Sequence, residues 1–282
     1  MRNNITVSAV IACYRDGRAI PIMYQRLKSV FKSLKVPYEI VFVNDGSPDN
    51  SKKVLAKITA ADPQVIAVNH SRNFGSQNAF SSGMKVASGD AVVLLDGDLQ
   101  DPPELIAKLY KKWQAGFDVV YGVRVKRVAT PFMQWAYKAF YRVFRATAYI
   151  PMPLNAGDFS LLDRKVVEAL NSLPESNRFI RGLRSWVGFR QTGIPYTRPE
   201  RMFGKTTNSL IKNLWWAQKA IFSFSYLPID LVTATAFVVT LMSFGLIVLQ
   251  ILIRIFWPSL TPSGLTTLLT LTLFLGGVQL FG

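Results

Sequence analysis

The chemistry of this chain is concentrated where apolar runs end. Asp96-Gly97-Asp98 directly leaves the run Ala91–Leu95. Two carboxylates that close repel each other unless a cation sits between them. Hard oxygen ligands favour Mg²⁺ or Mn²⁺, which would also bridge a diphosphate. Gln100 can add a neutral oxygen. Two further loops bring acids to the ends of apolar runs: Cys13-Tyr14-Arg15-Asp16 follows Ile5–Ala12, and Asn44-Asp45-Gly46-Ser47 follows Tyr38–Val43. Asp is also a common turn and N-cap residue. That bland reading covers Asp49, Asp101 and Asp45, and covers the close pair Asp96 and Asp98 poorly. Gly204-Lys205-Thr206 resembles the end of a P-loop, but Pro199 stands where the first glycine is required, and no G-x-G-x-x-G occurs. One cysteine, Cys13, excludes a disulfide framework and a Cys-rich zinc site, and fits a reducing compartment. The single histidine excludes a multi-His metal centre. It makes any Ser-His-Asp reading depend on His70, which reads better as a local hydrogen-bonding residue at a strand end.

The elements that must position these acids alternate. Strands are expected at Ile5–Ala12, Tyr38–Val43, Val65–Val68, Ala91–Leu95 and Asp118–Tyr121. Helices are expected at Ile20–Leu34, Pro48–Ala61, Asn78–Ala87 and Pro102–Ala115. Such alternation predicts βαβ units and a mainly parallel α/β sheet. In that architecture ligands sit beyond the carboxyl ends of the strands, where the acids lie. Ser47-Pro48 places Pro at a first helical position, and Asp101-Pro102-Pro103-Glu104 reads as a capping box.

Charge is unevenly spread over the 282 residues. The net charge is +16, with 33 Lys+Arg against 17 Asp+Glu, yet after Pro228 only Asp230 and Arg254 are charged. A basic body needs an anionic partner: nucleic acid, anionic lipid or a phosphorylated substrate. Leu231–Ile253 is uncharged and apolar, with Arg254 and Trp257 at its far end as interface anchors, and a second apolar run spans Leu265–Phe281. About 20 apolar residues cross a bilayer, so two transmembrane helices are expected, the second slightly short. Spans make nucleic acid an unlikely partner. The N-terminus MRNNITVSAV lacks the long apolar run of a signal peptide. The positive-inside rule then places the basic body in the cytoplasm. Ser209–Leu227 mixes Trp215, Trp216, Phe222 and Phe224 with few cations and reads as an interfacial helix. The expected division is a catalytic body over 1–207, a juxtamembrane amphipathic helix over 208–228 and a transmembrane hairpin over 229–282.

With these residues in view, the chain resembles the inverting family 2 glycosyltransferases of the polyprenyl-phosphate type. It is similar to dolichol-phosphate mannose synthases and, more closely, to bactoprenol glucosyltransferases. The matching segments are VSAVIACYRD, YEIVFVNDGSPDNS, NHSRNFGSQNA, GDAVVLLDGDLQDPPE, GDFSLLDR and RPERMFGKTTNSL. The family's P-x-Y-N-E is altered here, with Ala12 for the Pro, Arg15 for the Asn and Asp16 for the Glu.

The resemblance implies a GT-A-type, Rossmann-like domain and assigns roles. Asp16 and Asp45 would hold the base and ribose of a nucleotide. Asp96 and Asp98, with Gln100, would handle the diphosphate through Mg²⁺ or Mn²⁺. Asp158 would lie near the acceptor, and Arg124, Arg201 and Lys205 would meet phosphates. Arg124, at the end of the fifth strand, is the preferred ligand for the acceptor phosphate. The implied reaction is transfer of a hexose from a nucleotide sugar, UDP-glucose first, to undecaprenyl or another polyprenyl phosphate. Asp98, Asp158 and Arg124 would stand closest to the reacting atoms. The setting is the cytoplasmic face of the inner or plasma membrane, in a multi-pass protein able to form a homo-oligomer. Mannosyl or amino-arabinosyl transfer, or a non-catalytic membrane-anchored nucleotide binder, are the alternatives. Soluble and processive members carry a Glu-Asp pair, processive polysaccharide synthases also carry Q-x-x-R-W, and this sequence has neither. A lipid phosphate is already an anion, so it can attack with little need for a base.

Overall fold

The computed structural model describes residues 5–125, 156–176, 178–199, 224–257 and 264–281, with isolated positions between them. The chain divides into two compact units, residues 1–141 with 150–212, and residues 142–149 with 213–282.

The first unit is a seven-stranded sheet. Its first half alternates β1 Val7–Cys13, α1 Ile20–Leu34, β2 Tyr38–Asn44, α2 Ser51–Ala61, β3 Val65–Asn69, α3 Ser76–Val86 and β4 Ala91–Asp96. There follow α4 Ile106–Gln114, β5 Val119–Arg124, β6 Ala156–Asp163, α5 Arg164–Ser172, α6 Ile180–Trp186 and β7 Gln191–Tyr196. The strand order is β3-β2-β1-β4-β6-β5-β7. β6 runs antiparallel to both β4 and β5, and every other pairing is parallel. The expected α/β sheet is therefore present, with one reversed strand in its middle.

Continuous apolar runs dictate the central strands. All seven residues of β1 are buried, because helices cover both faces. One face carries Ala9, Ile11, Phe42, Val93 and Leu95 against Met23, Leu27 and Phe31 of α1, Leu55 of α2 and Trp113 of α4. The opposite face holds α3, so close that a Cβ on Gly83 would lie 2.2 Å from Val10 Cγ1. Gly83→Ala gains about 1 kcal/mol of helix propensity. It is nevertheless expected to destabilise the fold by about 1–3 kcal/mol, because overpacking forces the helix off the sheet. Chemical denaturation of the two proteins reads the sign directly.

Two expected helix starts are corrected. α2 begins at Ser51 rather than Pro48, because Asp49 Oδ1 accepts from both Ser51 N (3.1 Å) and Ser51 Oγ (2.6 Å) and turns residues 47–50 into a loop. The capping box at Asp101–Glu104 does not form. A 3₁₀ turn at Pro103–Leu105 precedes α4 without a side-chain cap, and Asp101 is engaged elsewhere.

The second unit contains two helices, α7 Leu227–Phe256 and α8 Leu265–Phe281. α7 has 30 residues and a mean hydropathy of 2.5 in its most apolar window, and among the described residues it alone is long and apolar enough to cross a membrane. α8 is apolar but has 17 residues. The two pack together closely at Gly277, where a Cβ would lie 2.4 Å from Thr240 Oγ1. Gln250 of α7 faces Thr267 and Thr270 of α8, each contact 3.5 Å. Most of the expected juxtamembrane helix, 208–228, lies outside the described residues.

Candidate active site

The parallel strands β1, β2 and β4 deliver their acids to one edge. Asp45 N donates to Cys13 O and Gly97 N donates to Ala12 O, both at 2.9 Å, so the loops after all three strands are stitched together. Cys13 is buried beneath them. Burial, then the nearby Asp16 and Asp96, pushes its thiol well above the ordinary range, which keeps it unreactive.

Asp45 is almost fully buried and its carboxylate is already committed. Oδ1 accepts from Phe74 N and from His70 Nδ1, both at 2.8 Å, and Oδ2 accepts from Gly75 N at 2.8 Å. His70 Nε2 in turn meets Ser82 Oγ at 2.9 Å. His70 is thus the local hydrogen-bonding residue expected of it, a strut between β2 and α3. His70→Ala leaves a buried carboxylate short of a donor, which costs about 1–3 kcal/mol. The loss should appear as a lower Tm on thermal denaturation. Asp16 stands at the neighbouring loop, where Oδ2 accepts from Tyr14 N at 2.9 Å, beside Arg15 in the left-handed region with φ 61°.

The close acid pair Asp96 and Asp98 lies on β4 and the turn after it. Asp96 side chain is partly exposed and Asp98 nearly buried. Asp98 Oδ1 accepts from Gln100 N at 3.1 Å across a turn in which Leu99 takes φ 62°. Gln100 Nε2 reaches Pro199 O at 3.3 Å. Asp101 completes the group: it is 1% exposed and accepts from Tyr196 Oη at 2.6 Å.

Over these three acids lies Arg198. Its Nη2 is 3.5 Å from Asp96 Oδ2 and 3.8 Å from Asp98 Oδ2, and its Nε is 3.6 Å from Asp101 Oδ1. Even so, burial and then the charges of Asp101, Asp98 and Asp158 hold the Asp96 carboxyl well above its ordinary value. Burial likewise raises Asp101, against Arg198 and Tyr196. Carboxylates crowded until they resist ionising are short of positive charge. The donor set is all hard oxygen, and its chemistry fits a divalent cation of the Mg²⁺ or Mn²⁺ type.

The antiparallel β6 supplies the next acid. Leu94 pairs with Ser160, so continuing the register sets Asp158 level with Asp96. Asp158 Oδ1 lies 3.2 Å from Arg181 Nε. Arg124, at the end of β5, lies over Gly157, where a Cβ would come 3.1 Å from its Nη2, and its Nε reaches Tyr196 Oη at 3.4 Å. The fold therefore gathers Asp96, Asp98, Gln100, Asp158 and Arg124 at one edge, with Asp16 and Asp45 on the β1–β2 side. Arg201 and Lys205 lie outside the described residues. The sequence reading missed Asp101, Tyr196 and Arg198. Only the position of Arg198 at the head of RPERMFGK pointed to it.

A mixed, mostly parallel sheet with an acid pair at the end of β4 and further acids after β1 and β2 has the GT-A-like architecture of a glycosyltransferase. The chain belongs to glycosyl transferase family 2, whose sequence pattern matches residues 8–170, and it is a glycosyltransferase. It is 40% identical to an uncharacterized glycosyltransferase of Bacillus subtilis (strain 168), over 99% of this chain and 87% of that one. It is 36% identical to a prophage bactoprenol glucosyl transferase homolog of Escherichia coli (strain K12), over 98% and 90%. To the bactoprenol glucosyl transferase of Shigella phage SfV it is 37% identical, again over 98% and 90%. Among solved structures, glucosyl-3-phosphoglycerate synthase from Mycobacterium tuberculosis, in complex with Mn²⁺, UDP and phosphoglyceric acid, shares the fold. Its TM-score is 0.51 at 18% identity, covering 77% of this chain and 76% of that one.

Proposed function

We propose that this protein transfers a hexose, glucose from UDP-glucose, onto a polyprenyl phosphate with inversion at the anomeric carbon. The observation that carries the reading is the junction at β4–β6–β5. There, donor-side acids Asp96 and Asp98 adjoin a cationic flank, Arg124 and Arg181, across Asp158. A near-full-length likeness to bactoprenol glucosyl transferases supports the acceptor and the sugar.

A bound Mg²⁺ or Mn²⁺ would supply Lewis acidity to the leaving diphosphate. Asp96 and Asp98, with the Gln100 amide oxygen, are the residues to hold it. Asp16 and Asp45 border the base and ribose, Asp45 having spent three of its acceptor positions on the protein. Arg201 and Lys205 are assigned to the donor phosphates. Arg124 holds the acceptor's phosphate, which is already an anion. Asp158 cannot attract that phosphate. It orients Arg181 and a sugar hydroxyl and keeps the attacking oxygen's approach fixed.

The setting belongs to the same proposal. α7 crosses the inner or plasma membrane outward and α8 returns, in a multi-pass chain whose catalytic domain is cytoplasmic. Cysteine introduced at Ser259 should label only from the non-cytoplasmic side. Cys13 is buried, so background labelling is low. Labelling from the cytoplasm alone would refute the hairpin.

The functional test is a panel of radiolabelled UDP- and GDP-sugars with undecaprenyl phosphate in membranes. UDP-glucose should yield a lipid-linked product and release UDP. Product from GDP-mannose or an amino-arabinose donor instead would change the sugar. UDP release that ignores polyprenyl phosphate would overturn the acceptor.

A further inference from the structure

Tyr196 ends the edge strand β7 and is 6% exposed, yet its hydroxyl stands between two charged groups of the site. Oη donates to Asp101 Oδ1 at 2.6 Å and accepts from Arg124 Nε at 3.4 Å. Those roles are forced. A guanidinium has only donors and a phenol has one proton, so the proton goes to the carboxylate and a lone pair faces Nε. The ring is itself held in place. A Cβ on Gly122 would come 2.7 Å from Tyr196 Cε1, and Phe159 meets the ring edge to face, with centroids 5.8 Å apart at 84°. Arg124 and Tyr196 are register partners on the parallel strands β5 and β7, so their side chains leave the same face of the sheet.

Arg124 is confined from its other side as well. Its guanidinium lies over Gly157, where a Cβ would come 3.1 Å from Nη2 and 3.6 Å from Cζ. Arg124 is partly exposed, whereas Tyr196 and Asp101 are buried. A ligand can therefore reach the arginine and not the tyrosine. With Nε turned to Tyr196, the two Nη groups form the free edge of the fork, and such an edge meets phosphate oxygens in a two-point contact. An unrestrained arginine samples many rotamers, and holding it beforehand in its binding geometry removes that ordering cost from association. We propose that Tyr196 is a positioning residue: anchored on Asp101, it fixes the plane of Arg124 and presents the Nη edge to the acceptor. The role of Arg124 toward the acceptor phosphate is taken from the proposed function. Asp101 follows directly on the turn that carries Asp98 and Gln100. One hydroxyl thus ties the donor-side turn to the acceptor-side arginine, and a shift of that turn is felt at Arg124.

The test uses the full chain in detergent with UDP-glucose, Mn²⁺ and undecaprenyl phosphate. Tyr196→Phe removes the hydroxyl and keeps the packed ring. It should lower kcat/KM for undecaprenyl phosphate by about tenfold, since a misaligned fork no longer places the attacking oxygen. UDP titration in the presence of Mn²⁺ should be unchanged. The Tm should fall, because the buried Asp101 carboxylate loses a donor. A lower Tm alone also fits a purely structural hydroxyl, so the deciding readout is a double-mutant cycle. In an Arg124→Ala background, Tyr196→Phe should cause no further loss in kcat/KM for the acceptor. Equal losses in both backgrounds would make Tyr196 structural and overturn the positioning. Weakened UDP binding with acceptor kcat/KM retained would assign Tyr196 to the donor and overturn it equally. Gly157→Ala presses on the same guanidinium from the opposite side without touching the Asp101 bond, and stands in if the phenylalanine variant does not fold. It too should lower acceptor kcat/KM and spare UDP binding, and an unchanged acceptor kcat/KM would show that the placement of Arg124 does not matter. Failure of the positioning leaves wild-type transfer to undecaprenyl phosphate intact, whereas failure of the proposed function removes that transfer from the wild type itself.

Discussion

Asp98→Asn should lower turnover by two orders of magnitude or more while leaving the fold intact. The amide keeps the oxygen that accepts from Gln100 N at 3.1 Å, so the strained turn at Leu99 survives. What is lost is one negative charge from an oxygen cluster suited to a divalent cation. Stabilising charge on a departing diphosphate is worth several kcal/mol in metal-assisted transfer, and each ~1.4 kcal/mol is a factor of ten in rate. Stability should move the other way. Asp98 is one of the charges that push the Asp96 carboxyl upward, so neutralising it relieves repulsion in the metal-free protein. The pairing of a much lower kcat with an unchanged or higher Tm separates loss of chemistry from loss of structure. Full activity of Asp98→Asn in excess EDTA would sink the metal assignment.

The central sheet was legible because its strands are buried on both faces. VSAVIAC and AVVLLD have no polar alternation to confuse the reading, and each is closed by the acids that end it. β6 and β7 were not legible. β6 carries Gly157, Asp158 and Ser160 among its apolar residues, and β7 contains Gly193 and Pro195, so both resemble loops by local propensity. Pro195 is tolerated because β7 pairs only with β5 and lies at the sheet's edge. That edge strand carries Tyr196 to Asp101 and leads Arg198 over Asp96 and Asp98, contacts spanning about a hundred residues of chain. No local pattern announces them. Asp101 was misread for the opposite reason. Asp-Pro-Pro-Glu is a strong helix-start pattern, and here the tertiary partner, a buried tyrosine hydroxyl, outcompetes the cap. Asp45 shows the same limit: its strand-end position was evident, whereas its hydrogen bonds to His70, Phe74 and Gly75 depend on a loop whose path only the fold defines.

Arg198→Ala should tighten divalent-cation binding and still cripple the enzyme. The guanidinium lies 3.5–3.8 Å from Asp96, Asp98 and Asp101, longer than the hydrogen bonds a committed ion pair makes. It is also partly exposed and follows the edge strand β7, so it is held loosely enough to leave. It is the cation that lies against Asp96 and Asp98, the carboxylates proposed to hold the metal, and so takes the space over them. Two cations cannot share that space, so removing the arginine should lower the apparent Kd for Mn²⁺ in the absence of donor, by about tenfold if its pairing is worth ~1.4 kcal/mol. A bound diphosphate would give the same guanidinium an anionic partner. Losing it then removes a charge from the leaving group, and kcat should fall on the order of 100-fold. Arg198→Lys should restore part of kcat and part of the competition, because it returns the charge without the fork. Mn²⁺ titration followed by electron paramagnetic resonance, with and without UDP, reads both effects. If Arg198→Ala bound Mn²⁺ more weakly without donor, the arginine would be shaping the carboxylates into a chelating arrangement rather than standing in for the metal, and the exchange of one cation for another at this site would be wrong.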